Sequence, residues 1–525
     1  MILRKLLLVL ALTLPTAARA EWKEASSRHF IVLSEGGEER LVKVISDLEK
    51  YDFMLRFVTK AKPPTIVPPK IKIYLMRDMS AVAVTMGGSG GSGVAGYYTA
   101  SARGPIAVGL RGSTGGGDYA LESQEVLFHE LAHHFMFQYF PAAYPSWYSE
   151  GFADYYGTAK ILDKDVIEVG HGLKSRYAAF LGNGWLPLDK LLTAKSYADV
   201  GGNIDLLYSE GWLLVHYLSN NKERKGQLEK YLGAINAGQS YKTAMDNAFG
   251  EGAKALNAEL RAYSRKGRIS ALSLPFKPID TGAITRRTLS PAEDAMVGYD
   301  IAIGRGILKR EAAKFAGAVA ATGRRFPDDP HALRLQVEAW RLAGDRAAAA
   351  AALDRWIKLR PNDGLALMHR AELAIDALKA AGSADQAAWE TARQDILAAN
   401  KKTPRNPQIL NAFYASYTAQ GVLPPPGAQN ALVRAFELVP QDDYLRHMVA
   451  ADFEARGMIA EAIGIIKPAA VQLHSAETDP KKKERDDAER EKYRGAGDNR
   501  SETAQEMLTR LEKKLAEKSG QTASQ

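Results

Sequence analysis

Two short motifs decide how this chain folds, and the first is residues 129–133, which read HELAH. Residues four apart stack on one face of a helix, so His129 and His133 can bind one metal ion. Glu130 then lies beside the ion, where it can accept a proton from metal-bound water and act as a general base. The pentapeptide alone arises by chance too often to decide a function, so the prediction depends on the motif that follows.

The second motif is residues 147–154, WYSEGFAD, which come after a helix stop at Pro141. Glu150 offers a third ligand, and Asp154 places another carboxylate one helical turn later. A zinc site built from two histidines and one glutamate needs this third ligand, a partner for an imidazole N–H and one open position. The two motifs therefore predict a catalytic zinc centre, because a structural one would fill all four positions and favour cysteine.

These motifs resemble those of the peptidase MA-like gluzincins, in which H-E-x-x-H is followed by a helix bearing E-x-x-x-D. The chain is similar to bacterial, often repeat-fused members that read roughly W-x-x-E-G-x-A-[DE], and the resemblance covers residues from about 22 to 249. It implies an α+β metallopeptidase domain that binds Zn²⁺. The residues it implies are the metal ligands His129, His133 and Glu150, the base Glu130, and Asp154 as the acid that orients His129.

The resemblance also implies a group that stabilises the tetrahedral oxyanion, usually a tyrosine or a histidine. Tyr208, within residues 206–212 (LLYSEGW), is the best match for this catalytic role. The alternative is a tyrosine that caps a core helix with its hydroxyl at the surface. His134 and His216 are weaker candidates, since an extra histidine on an amphipathic helix is more often a surface or packed residue than a ligand.

The start of the chain predicts export. Residues 1–20 have a basic beginning, a short apolar run and a small-residue ending, as cleavable secretory signals do. We expect cleavage after Ala20 and a periplasmic or secreted bacterial protein. There is no cysteine, which excludes disulfides and thiolate ligands. The formal charge of +8 is spread along the chain, so we expect no nucleic-acid binding, and no later segment is apolar enough to span a membrane.

Hydrophobic periodicity predicts strands and helices around the two motifs. The predicted strands are at residues 22–33 and 71–75, and the predicted helices are at about 121–139, 147–157 and 206–218.

The glycine-rich residues 87–117 contain two short extended stretches, 94–99 and 105–110, which predict an irregular edge hairpin. This hairpin is a candidate to pair with a substrate backbone by β-augmentation. Residues 88–93 formally match G-x-G-x-x-G, but no helix follows them, so we expect a flexible loop and no dinucleotide site.

Beyond about residue 275 the sequence changes to alanine-rich helical pairs. Turns such as those at Pro327 and Pro361 recur at roughly the 34-residue interval of the tetratricopeptide repeat, which the best unit resembles. Trp340 and Trp356 are expected in the core of these pairs, and a solenoid of this kind offers an extended docking surface for a protein partner. The predicted division is a signal peptide (1–20), a gluzincin-like domain (21–275), a linker (276–293), an all-α tetratricopeptide-like solenoid (294–475) and a charged, mobile or helical tail (476–525).

The function that these predictions favour is an exported zinc metallopeptidase acting on a peptide or protein substrate. Glu130 would assist the attack of zinc-bound water on a peptide bond, and the repeats would dock a substrate or partner. The alternative is a catalytically inactive periplasmic binding or assembly protein that works through its repeats and keeps the peptidase fold as a relic. The intact set of ligands and base favours the enzyme.

Overall fold

The structure is a computed structural model, and it describes residues 21–86, 95–112, 123–182, 184–194, 197–201, 203–250, 252–266, 269–471 and 502–522. The predicted signal peptide, the predicted loop at 88–93 and the first part of the predicted tail lie outside these ranges.

The first half of the chain is built on a six-stranded mixed sheet in which three central strands are parallel. Its strands, in spatial order, are β4 (Tyr97–Ser101), β5 (Gly104–Leu110), β3 (Ile71–Met76), β2 (Phe30–Ser34), β1 (Lys23–Ser26) and β9 (Thr285–Thr288). Three short strands form a second, antiparallel sheet: β6 (Lys160–Ile161), β7 (Val166–Val169) and β8 (Leu272–Pro275).

The predicted edge hairpin is confirmed as β4 and β5, which pair antiparallel at one end of the sheet. The prediction of one strand at residues 22–33 is wrong, because β1 and β2 form a hairpin there. Glu49, on the helix that follows β2, stabilises this reversal by accepting hydrogen bonds from Ser27 Oγ at 2.7 Å and from the backbone N–H of His29 at 2.8 Å. The turn contains no glycine or proline, so nothing in the sequence indicates that the strand ends there.

Ten helices among the described residues surround the two sheets. They are α1 (Glu38–Thr59), α2 (Met79–Thr85), α3 (Ser123–Tyr139), α4 (Ser146–Gly157), α5 (Lys174–Gly182), α6 (Leu188–Thr193), α7 (Ile204–Asn220), α8 (Gln227–Asn236), α9 (Tyr241–Phe249) and α10 (Gly252–Ser264). The three helices predicted around the motifs are confirmed as α3, α4 and α7.

Helix α4 packs closely between α3 and α7, and a glycine lies at each of the two contacts. A Cβ atom added to Gly151 would lie 2.5 Å from the carbonyl oxygen of Gly211 on α7. A Cβ atom on Gly157 would lie 3.2 Å from Cα of His129 on α3. The close approach at Gly151 brings α4 against α7, and the close approach at Gly157 brings it against α3, because glycine places no side-chain atom between the two backbones.

The second half of the chain is a solenoid of antiparallel helix pairs, α11 to α20, followed by α21. The bounds are α11 (Pro291–Arg305), α12 (Lys309–Gly323), α13 (Pro330–Ala343), α14 (Arg346–Leu359), α15 (Gly364–Ala380), α16 (Gln386–Lys402), α17 (Pro407–Gln420), α18 (Pro426–Leu438), α19 (Asp443–Ala455), α20 (Ile459–Val471) and α21 (Ala504–Thr522).

The turns predicted between the repeats are helix starts capped by short acidic or amide side chains. Each cap accepts a hydrogen bond from a backbone N–H of the first helical turn, as at Asp329, Asp363 and Asn406. Trp356 is fully buried, which confirms the expectation that it lies in the core, whereas Trp340 is half-buried and packs against the outside of an apolar cluster.

The prediction of a linker at residues 276–293 is wrong, and part of the predicted tail is a packed helix. Strand β9 lies inside residues 276–293, the stretch expected to be a linker, and it pairs with β1 of the main sheet. In the predicted tail, α21 buries Met507, Leu508 and Leu511 against α20. Among the described helices, none has the length and apolar composition needed to cross a lipid bilayer.

Candidate metal centre

The structure brings the three predicted ligands together. Nε2 of His133 lies 3.2 Å from Nε2 of His129. Oε2 of Glu150 lies 3.4 Å from Nε2 of His129 and 3.5 Å from Nε2 of His133. Ligand atoms at 2.0–2.1 Å from a tetrahedral zinc ion are about 3.3 Å from one another. The three atoms therefore form one face of a tetrahedron of the size that zinc requires.

This agreement follows from the two helices that carry the ligands. On α3 the four-residue spacing stacks the two imidazoles on one face, with their ring centroids 4.8 Å apart. Helix α4 presents the buried Glu150 from the opposite side. A donor set of two imidazole nitrogens and one carboxylate oxygen fits zinc and leaves the fourth position of the tetrahedron open.

Asp154 orients the first histidine. Its Oδ1 accepts a hydrogen bond of 2.9 Å from Nδ1 of His129, which turns Nε2 toward the other ligands. Arg176, on α5, donates to both oxygens of Asp154, from Nε at 2.6 Å and from Nη2 at 3.1 Å. The result is a chain of contacts in which an arginine holds the carboxylate and the carboxylate holds the imidazole.

The electrostatics of the site favour a cation. Burial alone would lower the pKa of His129, but its hydrogen bonds to Asp154 and Glu150 raise that pKa to about 10. Burial would raise the pKa of Glu150, yet the charge of His133 and the hydrogen bonds from both imidazoles hold it well below its usual range. The carboxylates that retain a proton on His129 also attract a dication, and a metal binding at Nε2 has to displace that proton.

Sequence reasoning missed Arg176 and Ser149. Arg176 belongs to no motif, so nothing local could have pointed to it. Ser149 lies inside the second motif, and its Oγ is 3.3 Å from Nδ1 of His133, where it can orient the second imidazole as Asp154 orients the first. An oxygen-bearing side chain next to a ligand glutamate was the only available signal.

Glu130 lies half-buried on α3, between His129 and His133 in sequence. It is not among the clustered ligand atoms. Its role in proton transfer stays a prediction.

Tyr208 lies on α7, with its ring 4.6 Å from the guanidinium carbon of Arg176. This contact connects it to Asp154 through the arginine, and the side chain is half-buried. The role of Tyr208 at an oxyanion stays a prediction.

The two further histidines singled out from sequence are packed away from the ligand cluster. His134 Nδ1 accepts a hydrogen bond of 2.8 Å from the hydroxyl of Tyr98, and burial lowers its pKa to about 3. Nε2 of His216 lies 3.0 Å from the carbonyl oxygen of Gly170. Both fit the expectation of packed residues.

A second group of potential ligands is formed by His29, Glu49 and Asp52. Nδ1 of His29 lies 2.7 Å from Oε2 of Glu49, whose other oxygen binds the β1–β2 turn. Asp52 forms an ion pair with Arg56. Because these oxygens already bind protein donors, the group is best explained as a structural support of the hairpin.

Comparison with known proteins yields weak likenesses. No protein-family model and no curated protein matches the chain. Among solved structures, it is similar to a thermophilic TPR protein of Thermus thermophilus, at 18% identity and a TM-score of 0.27, over 36% of this chain and 90% of that one. It is also similar to the MamA RS-1 ArsTM double mutant, at 16% identity and a TM-score of 0.26, over 35% of this chain and 97% of that one.

Replacing Asp154 with alanine should weaken zinc binding by about 10- to 100-fold, because loss of such an orienting carboxylate frees the imidazole to rotate. Competition with a chromogenic chelator would measure the affinity. Asp205→Ala, at an exposed position on α7, is the matched control and should bind zinc as wild type does. Equal affinity in the Asp154 variant would show that the contact does not orient His129 for a metal.

Proposed function

We propose that this chain is an exported zinc metallopeptidase that hydrolyses peptide bonds, with zinc bound by His129, His133 and Glu150. The observation that carries the proposal is the spacing of the three ligand atoms, 3.2 to 3.5 Å apart, with Glu130 next to His129 along α3. When bound, zinc would supply a Lewis acid for the scissile carbonyl and would make a water molecule acidic near neutral pH.

The chain's own groups would perform the proton transfers. The carboxylate of Glu130 would take a proton from the attacking water and deliver it to the nitrogen of the leaving amine. Asp154 and Arg176 would keep His129 in the orientation that exposes Nε2. The hydroxyl of Tyr208 is the proposed donor to the oxyanion, and the contact of its ring with Arg176, which binds Asp154, supports this proposal.

A peptide substrate would lie along the end of the main sheet nearest α3. Strand β4 is the outermost strand there, and its backbone pairs with β5 on one side. α3 packs against both strands of this hairpin. An extended peptide added to the sheet at this end would pass the metal centre with its carbonyl groups in regular array, which supports a peptide as the substrate class.

Zinc content of the mature chain tests the proposal. We expect about one zinc per chain in wild type and almost none in His133→Ala and Glu150→Ala, because removing one of three ligands destroys the site. His331→Ala, on α13 of the solenoid, is the control and should retain its zinc. Zinc-loaded wild type should cleave members of a peptide library, and a chelator should stop it.

Absence of zinc from wild type even after zinc is supplied would overturn the proposal. The chain would then be better explained as a periplasmic binding or assembly protein that acts through its solenoid, the alternative kept open by the sequence.

A further inference from the structure

One face of the solenoid is already occupied by the first half of the same chain. α11 and α19, the first helices of the first and last pairs, both pack against β4. The segment they hold is the β4–β5 hairpin, which also packs on the metal-bearing helix α3. Among the described residues, an apolar cluster joins Ile106 and Val108 of the hairpin to Val297 and Ile301 of α11. Three further sets of contacts join the solenoid to this region.

The first set is polar and lies at the hairpin turn. Nη1 of Arg103 contacts Oε2 of Glu338 on α13 at 2.7 Å, and Glu338 is almost fully buried. Asp300 on α11 accepts a hydrogen bond of 2.8 Å from the hydroxyl of Tyr74 on β3, and its other oxygen accepts one of 2.9 Å from Arg334 on α13. Charges paired out of water in this way specify one arrangement of the two partners, since either partner left alone is costly to bury.

The second set is apolar and lies nearer the other end of the solenoid. Ala100 and Ala102 of the hairpin, with Ile66 of the loop before β3, pack into a cluster contributed by α17, α18 and α19. The solenoid residues of the cluster include Leu410, Tyr414, Leu432, Phe436, Leu445 and Met448. The hairpin is thus held at its turn by ion pairs and along β4 by buried apolar surface.

The third set reaches α3 itself. Gln441, in the α18–α19 loop, donates from Nε2 to the carbonyl oxygen of His134 at 3.1 Å and to Oε1 of Gln138 at 3.0 Å. His134 follows the ligand His133 directly and lies one helical turn after Glu130, and it accepts the hydrogen bond from Tyr98 of β4. One glutamine of the solenoid therefore sits where α3 and β4 meet.

We propose that the solenoid is an intramolecular clamp whose ligand is the β4–β5 hairpin and helix α3 of the same chain, and that it sets the separation of β4 and α3 beside Glu130. The inference rests on the proposed function only for what the clamp serves, namely a peptide held along β4. A partner that binds this face of the solenoid has to displace the hairpin, so such binding would change the metal centre.

Hydrogen exchange of the zinc-loaded full chain tests the clamp without any assay of activity. We expect Arg103→Glu and Gln441→Ala to increase amide exchange in β4 and in residues 129–139 of α3 by at least about tenfold. In these variants local opening costs less free energy, because it no longer has to break the clamp contacts. Arg370→Glu breaks an exposed ion pair with Asp395 within the solenoid, and Gln394→Ala changes an exposed amide of α16, so both controls should exchange as wild type does.

The outcomes separate the clamp from the proposed function. Unchanged exchange in β4 and α3 of both test variants would overturn the clamp, whatever the activity. Increased exchange in a protein whose wild type cleaves no peptide would support the clamp and count against the peptidase. Gln441→Ala removes only one side-chain amide, so it keeps the experiment decisive if Arg103→Glu fails to fold.

Discussion

Replacing Glu130 with glutamine is expected to abolish most peptide hydrolysis while zinc stays bound. Glutamine keeps the size and polarity of the side chain but cannot accept a proton, and a positioned general base typically contributes about 10²- to 10⁴-fold to the rate. Glu130 lies outside the clustered ligand atoms, so metal content should not change. Steady-state kinetics on a cleaved library peptide, beside elemental analysis of the same samples, would measure both.

The combination of the two results is what distinguishes a base from a ligand. Glu39→Gln, at an exposed position on α1, is the matched control and should retain wild-type kcat and zinc. A Glu130 variant with wild-type kcat would show that another group moves the proton. Loss of zinc together with activity would instead indicate that Glu130 helps to hold the metal.

Replacing Gly151 with alanine should have the largest effect on stability. The added Cβ would lie 2.5 Å from the carbonyl oxygen of Gly211, and a backbone atom cannot rotate away as a side chain can. Forced overpacking of this kind typically costs about 1–3 kcal/mol, and more where the backbone must move. Because Gly151 adjoins Glu150, movement of α4 should also weaken zinc binding. Urea unfolding monitored by circular dichroism, with and without zinc, would measure the loss.

Gly233→Ala is the control for this substitution, and it should change stability in the opposite direction. Gly233 lies inside α8, and a Cβ there would meet no atom within 4 Å. Alanine in a helix interior is favoured over glycine by about 1 kcal/mol, so this variant should be more stable than wild type. Equal urea midpoints for Gly151→Ala and wild type would mean that α4 and α7 can separate without cost.

Local sequence patterns were enough to predict the elements that carry the site. The spacing of His129 and His133 fixes their shared helical face, and proline breaks and short acidic caps mark where helices begin and end. These signals act between residues a few positions apart, so they can be read without the fold. The same holds for the edge hairpin and for the helical pairs of the second half.

Contacts between separate segments of the chain determined the features that the sequence patterns did not predict. Arg176 became part of the site because α5 folds back onto Asp154, and β9 joined the sheet although it lies in a stretch with the composition of a linker. The division of residues 22–33 into two strands depends on Glu49 of α1. Such contacts leave no periodic pattern in the sequence of either segment. The residues involved are polar types that occur throughout the chain, and the role of each depends on which segment packs against it.

The arrangement of the solenoid shows the same limit most clearly. Its helix pairs are evident in the recurring turns of the sequence. The sequence does not show which part of the protein covers the solenoid. Arg103 and Glu338 are far apart along the chain, and the distance of 2.7 Å between them arises only when both halves are folded and packed together. Sequence periodicity specifies which face of each helix is buried, but the free energy of packing two folded surfaces decides what covers it.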